Sequence, residues 1–193
     1  ISDEGEHAYI VSEWVRGGSL REWMRAAHPF QARVRLALAV GEGVRAAHAA
    51  GLVHRDLKPD NVLVEGDVPK VTDFGVATSH QHPLEASAHT SGTPAYMPPE
   101  QARGESPSPR NDQYSCAVLV GEQLFGLAPE RVRRGSLRAA VRERGEPSAE
   151  TLQVLDALER ALHPEDAQRW LDMGELLGAL KAATVSSASS SAS

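Results

Sequence analysis

The spacing of hydrophobic positions changes several times along the chain, and each change marks a new element. Residues 8–15 (Ala-Tyr-Ile-Val-Ser-Glu-Trp-Val) are rich in β-branched and aromatic side chains and predict a strand. Gly17-Gly18 breaks it. Ser19 followed by Glu22 has the pattern of a capping box and opens a short helix through Ala27. From Gln31 to Ala50 the period becomes helical: Val34, Leu38 and Gly41 share one stripe, and Ala37, Val40, Val44 and Ala47 share its neighbour. Gly51 suits the left-handed residue that ends a helix. Two short apolar pieces, Val62–Val64 and Val68–Val71, flank Glu65-Gly66-Asp67 and read as a hairpin. Residues 76–110 are rich in Ser, Pro, His, Gly and Thr and predict a long irregular segment, which in a compact domain is functional or disordered. From Gln113 to Phe125 the chain is apolar nearly all round, the pattern of a helix buried in a core. Three further helices are expected at Ser136–Arg144, Thr151–Leu162 and Met173–Ala183, the last two carrying regularly spaced leucines. The final residues, Ser186–Ser193, are only Ser and Ala and are expected to be disordered.

Composition narrows the class. A chain of 193 residues with 41% hydrophobic content is enough for one domain with a sizeable core. A net charge of -6 gives no electrostatic reason to expect nucleic acid as a partner. One cysteine, Cys116, excludes an internal disulfide framework and a cysteine-based zinc site. The strongly apolar run Cys116–Val120, which no other apolar run exceeds, is far short of the ~18 residues that a membrane span needs. No basic-then-apolar leader opens the chain, and its first residue is Ile1, so we expect a piece of something longer. Only Lys58, Lys70 and Lys181 among the 20 basic residues are lysines, an arginine bias typical of GC-rich bacterial coding sequence.

The chemistry is concentrated in three motifs. His54-Arg55-Asp56-Leu57-Lys58-Pro59-Asp60-Asn61 comes first. Asp73-Phe74-Gly75 follows, and then Gly92-Thr93-Pro94-Ala95-Tyr96-Met97-Pro98-Pro99-Glu100. In this order they resemble the catalytic loop, the magnesium loop and the end of the activation segment of protein kinases, and the resemblance runs over about residues 8–183. It implies an α+β, mostly helical fold: the kinase large (C-terminal) lobe, with a hinge strand and a small β-hairpin. Residues 1–18 would be the end of the small lobe and the hinge, 19–184 the large lobe, and 185–193 the Ser/Ala tail.

The residue types suit phosphoryl transfer, which needs a group to orient the attacking hydroxyl, cations for the phosphates and ligands for those cations. By the resemblance, Asp56 accepts the proton of the substrate hydroxyl and Lys58 is a point charge beside the transferred phosphate. Asn61 and Asp73 are oxygen donors for Mg²⁺. A lysine two residues after the aspartate, and Thr93 in Gly-Thr-Pro, resemble serine/threonine kinases rather than tyrosine kinases. By the same resemblance, Ser12 would fall at the gatekeeper position, Glu13 and Val15 would offer backbone groups to adenine, and Leu63 would lie under the ring. Arg55 would pair with a phosphorylated residue of the activation segment, with Ser87, Thr90 and Ser91 as acceptors and Thr93 nearby. Asp112 would hold the catalytic loop's backbone, and Glu100 and Arg169 match a buried ion pair of the large lobe. The pattern departs from the family in having Ala117 for a glycine and Pro98 before Pro99-Glu100.

Other features carry less. Gly41-Glu-Gly43-Val-Arg-Ala46 mimics a dinucleotide fingerprint but lies inside a helix. His80, His82 and His89 read as solvated loop residues, and the six arginines from Arg131 to Arg144 as a solvated face, with an acidic substrate segment as the other reading. A kinase also needs a glycine-rich loop and a strand lysine. No lysine precedes Lys58 and no G-x-G-x-x-G precedes the hinge. The expected function is therefore a serine/threonine protein kinase that transfers the γ-phosphate of ATP with Mg²⁺ to a Ser/Thr acceptor in a protein substrate, including itself. That activity is expected of a longer, cytoplasmic protein with any membrane anchor outside this chain. The alternatives are a non-catalytic pseudokinase or binding module, and an inactive structural fragment. An apolar patch is expected at the floor of the nucleotide cleft, around Val15, Val53 and Leu63.

Overall fold

In the computed structural model, which describes residues 2–3, 8–9, 12–74, 93–133 and 136–185, the chain begins with two paired two-residue strands, β1 (Ser2–Asp3) and β2 (Ala8–Tyr9). Within the expected strand over residues 8–15, Ala8–Tyr9 is a strand and residues 12–16 run without regular pairing, while 10–11 lie outside the described residues. A three-stranded antiparallel sheet follows, in the order β3 (Gly18–Ser19), β4 (Val62–Glu65), β5 (Val68–Val71). Gly66, at φ 63°, supplies the left-handed turn between β4 and β5.

Helix α1 (Leu20–Trp23) opens on the expected capping box: Glu22 N–H donates to Ser19 Oγ at 3.2 Å, and Ser19 N–H donates to Glu22 Oε2 at 3.0 Å. It ends four residues before Ala27; His28 stacks flat on Trp23 at 3.5 Å between ring centroids and its Nε2 lies 2.9 Å from the Trp23 carbonyl. Helix α2 (Phe30–Ala49) buries Val34, Leu36, Ala37, Val40, Gly41 and Val44. Gly41 belongs to a helix crossing: a Cβ there would lie 2.5 Å from Leu177 Cδ2.

Helix α3 (Pro99–Ala102) and helix α4 (Pro109–Phe125) come next. Helix α4 starts four residues before the expected Gln113, because Pro109 occupies its first turn, where a missing N–H costs nothing. It is the core helix. Cys116, Ala117, Val118, Leu119 and Val120 are all buried, and each large aliphatic side chain so buried contributes roughly 1.5–3 kcal/mol. Gly126, at φ 59°, ends α4, and Arg144 donates to the Phe125 and Gly126 carbonyls there. Helix α5 (Pro129–Arg133), which the sequence pattern did not signal, precedes α6 (Leu137–Arg142), α7 (Ala149–Ala161) and α8 (Met173–Val185). Helices α2, α7 and α8 pack together around α4, and α2 also carries the β4–β5 hairpin. The expected disordered tail, 186–193, lies outside the described residues.

Candidate active site

After α2 the chain reverses at Gly51 (φ 76°), passes through buried Val53 and His54, and makes a 3-10 turn at Pro59–Asn61 before entering β4. Arg55 takes φ 70°, a conformation that disfavours any residue with a Cβ. The surroundings fix it. Asp112, on α4 and fully buried, accepts the His54 N–H at Oδ2 (2.7 Å) and the Arg55 N–H at Oδ1 (2.8 Å). Gln101 Nε2 donates to the Arg55 carbonyl at 2.8 Å, and Leu57 is buried in the core. His54 Nδ1 accepts the Asp56 N–H at 3.3 Å, so its Nε2 carries the hydrogen and donates to the Thr72 carbonyl at 2.8 Å. One imidazole thus joins Asp56 to the segment that bears Asp73, and its ring also packs on Phe74.

Around Asp56 the donors converge. Lys58 Nζ donates to Oδ2 at 2.7 Å, the Thr93 N–H to Oδ1 at 2.7 Å, and Asn61 Nδ2 to Oδ2 at 3.2 Å. Lys58 Nζ also donates to Thr93 Oγ1 at 2.7 Å, closing a triangle. Burial pulls the Asp56 carboxyl upward, but the Lys58 ammonium and the Thr93 amide and hydroxyl outweigh it and hold the group below the ordinary carboxylate range. Asn61 Nδ2 is further tied to the Asp56 carbonyl at 2.9 Å, which leaves Oδ1 as its remaining acceptor. Thr72 N–H donates to the Asn61 carbonyl at 2.9 Å, so Asp73, one residue on, stands beside Asn61. Asp73 is exposed and also left-handed, at φ 60°. Two hard oxygen donors, one amide and one carboxylate, fit Mg²⁺, which takes few protein ligands and completes its shell with phosphate oxygens and water.

Segment 12–16 lies across the hairpin. Glu13 is exposed and forms an ion pair with Lys70, which stands opposite Leu63 in the β4–β5 register. Gly17 approaches β4 so closely that a Cβ would lie 1.7 Å from the Val64 carbonyl oxygen. Val15 and Leu63 are half-buried. The expected apolar patch needs correction, since Val53 is 3% exposed and the large exposed apolar group here is Trp14, at 85%.

A second polar cluster adjoins the first and was not legible in the sequence. Arg21 donates to Asp60 Oδ2 at 3.1 Å, to Tyr96 Oη at 2.6 Å and to Glu122, and Tyr96 Oη donates to Glu122 Oε2 at 2.5 Å. Burial and the Glu122 carboxylate push the Tyr96 hydroxyl well above its ordinary pKa. Four segments distant in sequence meet here, and no local pattern connects them.

Glu100 and Arg169, 4% and 2% exposed, form a two-pronged ion pair at 2.7 and 2.8 Å. The candidate phosphate acceptors Ser87, Thr90 and Ser91, and His80, His82 and His89, lie outside the described residues. Thr93, taken from the sequence as part of the regulatory segment, is in the site itself. Of the arginines after 130, Arg131 pairs with Glu143, Arg138 with Asp156 and Arg142 with Glu146, while Arg133 reaches the Pro94 carbonyl and Arg144 caps α4.

Residues 1–170 match the family model for the protein kinase domain. The chain belongs to the protein kinase family. Its relatives include the serine/threonine-protein kinase PknL of Mycobacterium tuberculosis, 44% identical over 135 residues, which cover 65% of this chain and 33% of PknL. PknA of the same species is 38% identical over 152 residues (76% and 35%). The serine/threonine-protein kinase drp72 of Corynebacterium efficiens is 32% identical over 193 residues (94% and 37%). The kinase chain thus spans about a third of the length of these curated relatives. The crystal structure of a point mutant of the M. tuberculosis PknI kinase domain superposes with a TM-score of 0.69 at 25% identity, covering 89% of this chain and 64% of that one. The mostly helical kinase fold expected from the sequence is therefore the fold found. Among the described residues no helix is long and apolar enough to cross a membrane.

Proposed function

We propose that this chain carries the catalytic loop and metal-binding residues of a serine/threonine protein kinase that transfers the γ-phosphate of ATP to protein hydroxyls, its own included. The observation that carries the reading is the Asp56–Lys58–Thr93 triangle with Asn61 behind it. A carboxylate offers about four lone-pair sites. Three of those on Asp56 have donors in the structure, so one remains for a substrate Ser or Thr hydroxyl, whose proton Asp56 accepts as the oxygen attacks phosphorus. Holding Asp56 below the ordinary carboxylate range keeps it ionised and fixed in orientation. Lys58 places a positive charge at the same point and counters the charge of the transferred phosphoryl group. Asn61 Oδ1 and Asp73 would hold Mg²⁺, which neutralises phosphate charge when bound.

By the same reading, residues 1–18 are the end of the small lobe and the hinge, with the backbone of Glu13 and Val15 facing adenine and Leu63 beneath the ring, and residues 19–184 form the large lobe. Arg55 reads a phosphate on Ser87, Thr90 or Ser91. The complete set Asp56, Lys58, Asn61 and Asp73 speaks against a pseudokinase. Because the 193-residue chain contains no lysine ahead of Lys58, we expect it to bind Mg·ATP weakly by itself and to transfer phosphate poorly.

The test is phosphotransfer from radiolabelled Mg·ATP in the full-length protein and its Asp56→Asn variant, with the fold checked by circular dichroism. We expect transfer to fall by at least about a hundredfold with the fold retained, since a positioned base is worth 10²–10⁴. A wild-type rate in the variant overturns the role given to Asp56.

A further inference from the structure

We propose that Arg133, the last residue of α5, is a positioning residue that pins the turn over residues 93–96 beside Asp56 and so sets the surface along which a protein substrate reaches the site. Its Nη1 donates to the Pro94 carbonyl, and its Nε donates to Tyr114 Oη at a longer 3.4 Å. Its neighbours in the arginine-rich stretch behave differently. Arg131, Arg138 and Arg142 pair with carboxylates, and Arg144 caps α4. Among the described residues no carboxylate pairs with Arg133. Its charge is directed at one carbonyl of the site, in a hydrogen bond stronger than one between neutral groups.

The turn has two held ends and one corner. At the first end the Thr93 N–H donates to Asp56 Oδ1 and Thr93 Oγ1 accepts from Lys58 Nζ, both at 2.7 Å. At the other end Tyr96 is buried, its carbonyl accepts from Ser115 Oγ at 2.9 Å, and its N–H closes the turn on the Thr93 carbonyl at 2.9 Å. The corner, Pro94, is exposed and has no N–H of its own, and among the described residues Arg133 is the donor to its carbonyl. Without that donor the peptide bond after Pro94 is free to rotate, and the rotation acts on Thr93 through the closed turn. The pin is itself anchored. Val132, beside it, is buried against α4 so closely that a Cβ on Gly121 would lie 2.8 Å from Val132 Cγ1, and Tyr114 is a buried residue of the same helix. Arg133 therefore ties the turn to the core helix. A protein chain whose Ser or Thr hydroxyl reaches Asp56 has to pass Thr93, so the pinned corner lies on its path. Arg133 also borders a cavity of about 580 Å³, with Pro99, Glu130, Glu159 and His163, so a methionine in its place displaces no core.

The kinetic consequence rests on the kinase reading; the pinning does not, and it is measured without nucleotide. Hydrogen exchange is followed by mass spectrometry in the full-length protein, in Arg133→Met, which keeps an unbranched stem and has no donor, and in Arg133→Lys, whose ammonium still donates to a carbonyl. We expect exchange in the peptide covering residues 93–97 to accelerate roughly tenfold in Arg133→Met, with the peptides of α4 unchanged, and to stay within about threefold of the parent in Arg133→Lys. Unchanged exchange over 93–97 in Arg133→Met overturns the proposal. So does equal acceleration in every peptide, which is the mark of a general loss of stability, or a lysine variant no better protected than the methionine one. Should Arg133→Met not fold, Arg133→Lys against the shorter Arg133→Gln gives the same contrast, and equal exchange in those two overturns the proposal. In phosphotransfer, Arg133→Met should lower kcat/KM for a peptide substrate about tenfold and leave the KM for ATP within about twofold. Equal losses toward peptide and ATP, or no loss toward either, overturn the substrate-facing role. A parent protein without phosphotransfer would instead overturn the function proposed above and leave the exchange contrast standing.

Discussion

Replacing Arg169 by methionine is the most informative single perturbation of stability. The guanidinium donates to both oxygens of Glu100, to the Arg110 carbonyl at 3.0 Å and to the His163 carbonyl at 2.8 Å, and stacks 4.9 Å from the Tyr114 ring centroid. Methionine fills much of the volume but strands the Glu100 carboxylate, which among the described residues keeps Asn111 Nδ2, at 3.2 Å. Stranding one member of a buried pair costs about 3–5 kcal/mol. For a chain of this size each kcal/mol lowers Tm by roughly 2–4 °C, so the variant should melt some 6–20 °C lower. Glu100→Gln should be milder, about 1–3 kcal/mol, because the cation retains two carbonyl acceptors and an aromatic face. Combining the two changes removes the stranded charge, so the double variant should be no less stable than Arg169→Met alone and well short of the sum. The assay is urea unfolding followed by circular dichroism, with the slope of ΔG against urea held constant as a control on the unfolded state. Losses that add to within about 0.5 kcal/mol would show that the two residues are not energetically coupled and refute the reasoning.

Further outcomes follow from single features. Burial, with a smaller contribution from Asp112, pushes the Cys116 thiol up to about 12, so the native chain should resist thiol reagents at pH 8 and label only at its unfolding rate; rapid stoichiometric labelling of folded protein would contradict this. Gly17→Ala should cost about 1–3 kcal/mol and loosen the Gly18–Val64 pairing, because the added Cβ meets a backbone oxygen that cannot rotate away; unchanged stability in urea would count against so close an approach. The depressed pKa of Asp56 contributes stability that is complete above the ordinary aspartate value, about 3.9, and is lost as pH falls through the lower folded value. Between pH 5 and 2 the parent should therefore lose more stability than Asp56→Asn, and parallel pH curves would show that Asp56 is not held down.

Much of this was legible from sequence where the determinants are local. The capping box at Ser19 and Glu22, the helical period of α2, the hairpin at Glu65-Gly66-Asp67 and the three motifs each occupy a few consecutive residues. Boundaries failed where one residue has two meanings. Pro109 reads as a loop residue but serves as the first turn of α4, and the five residues of α5 are too few to show a period. The strand expected over residues 8–15 does not include residues 12–15, because composition reports strand preference but not whether a partner edge is present. Contacts between distant segments stayed hidden: Thr93 on Asp56, Arg21 between Asp60 and Glu122, His48 on Asp112. Each joins residues at least 37 positions apart, and nothing in either segment names the other.

Arg55 and Asp73 both hold a left-handed backbone without being glycine. Each is disfavoured by about 1–2 kcal/mol relative to a residue that adopts this conformation freely. Glycine would relieve most of it, less what its own flexibility adds to the unfolded chain. Selection for heat resistance alone would thus push both positions toward glycine, and selection for the proposed chemistry would hold them where they are. A library screened only for survival at high temperature should enrich changes at these two positions and lose phosphotransfer as it does so. The pair marks where durability and function compete within this chain.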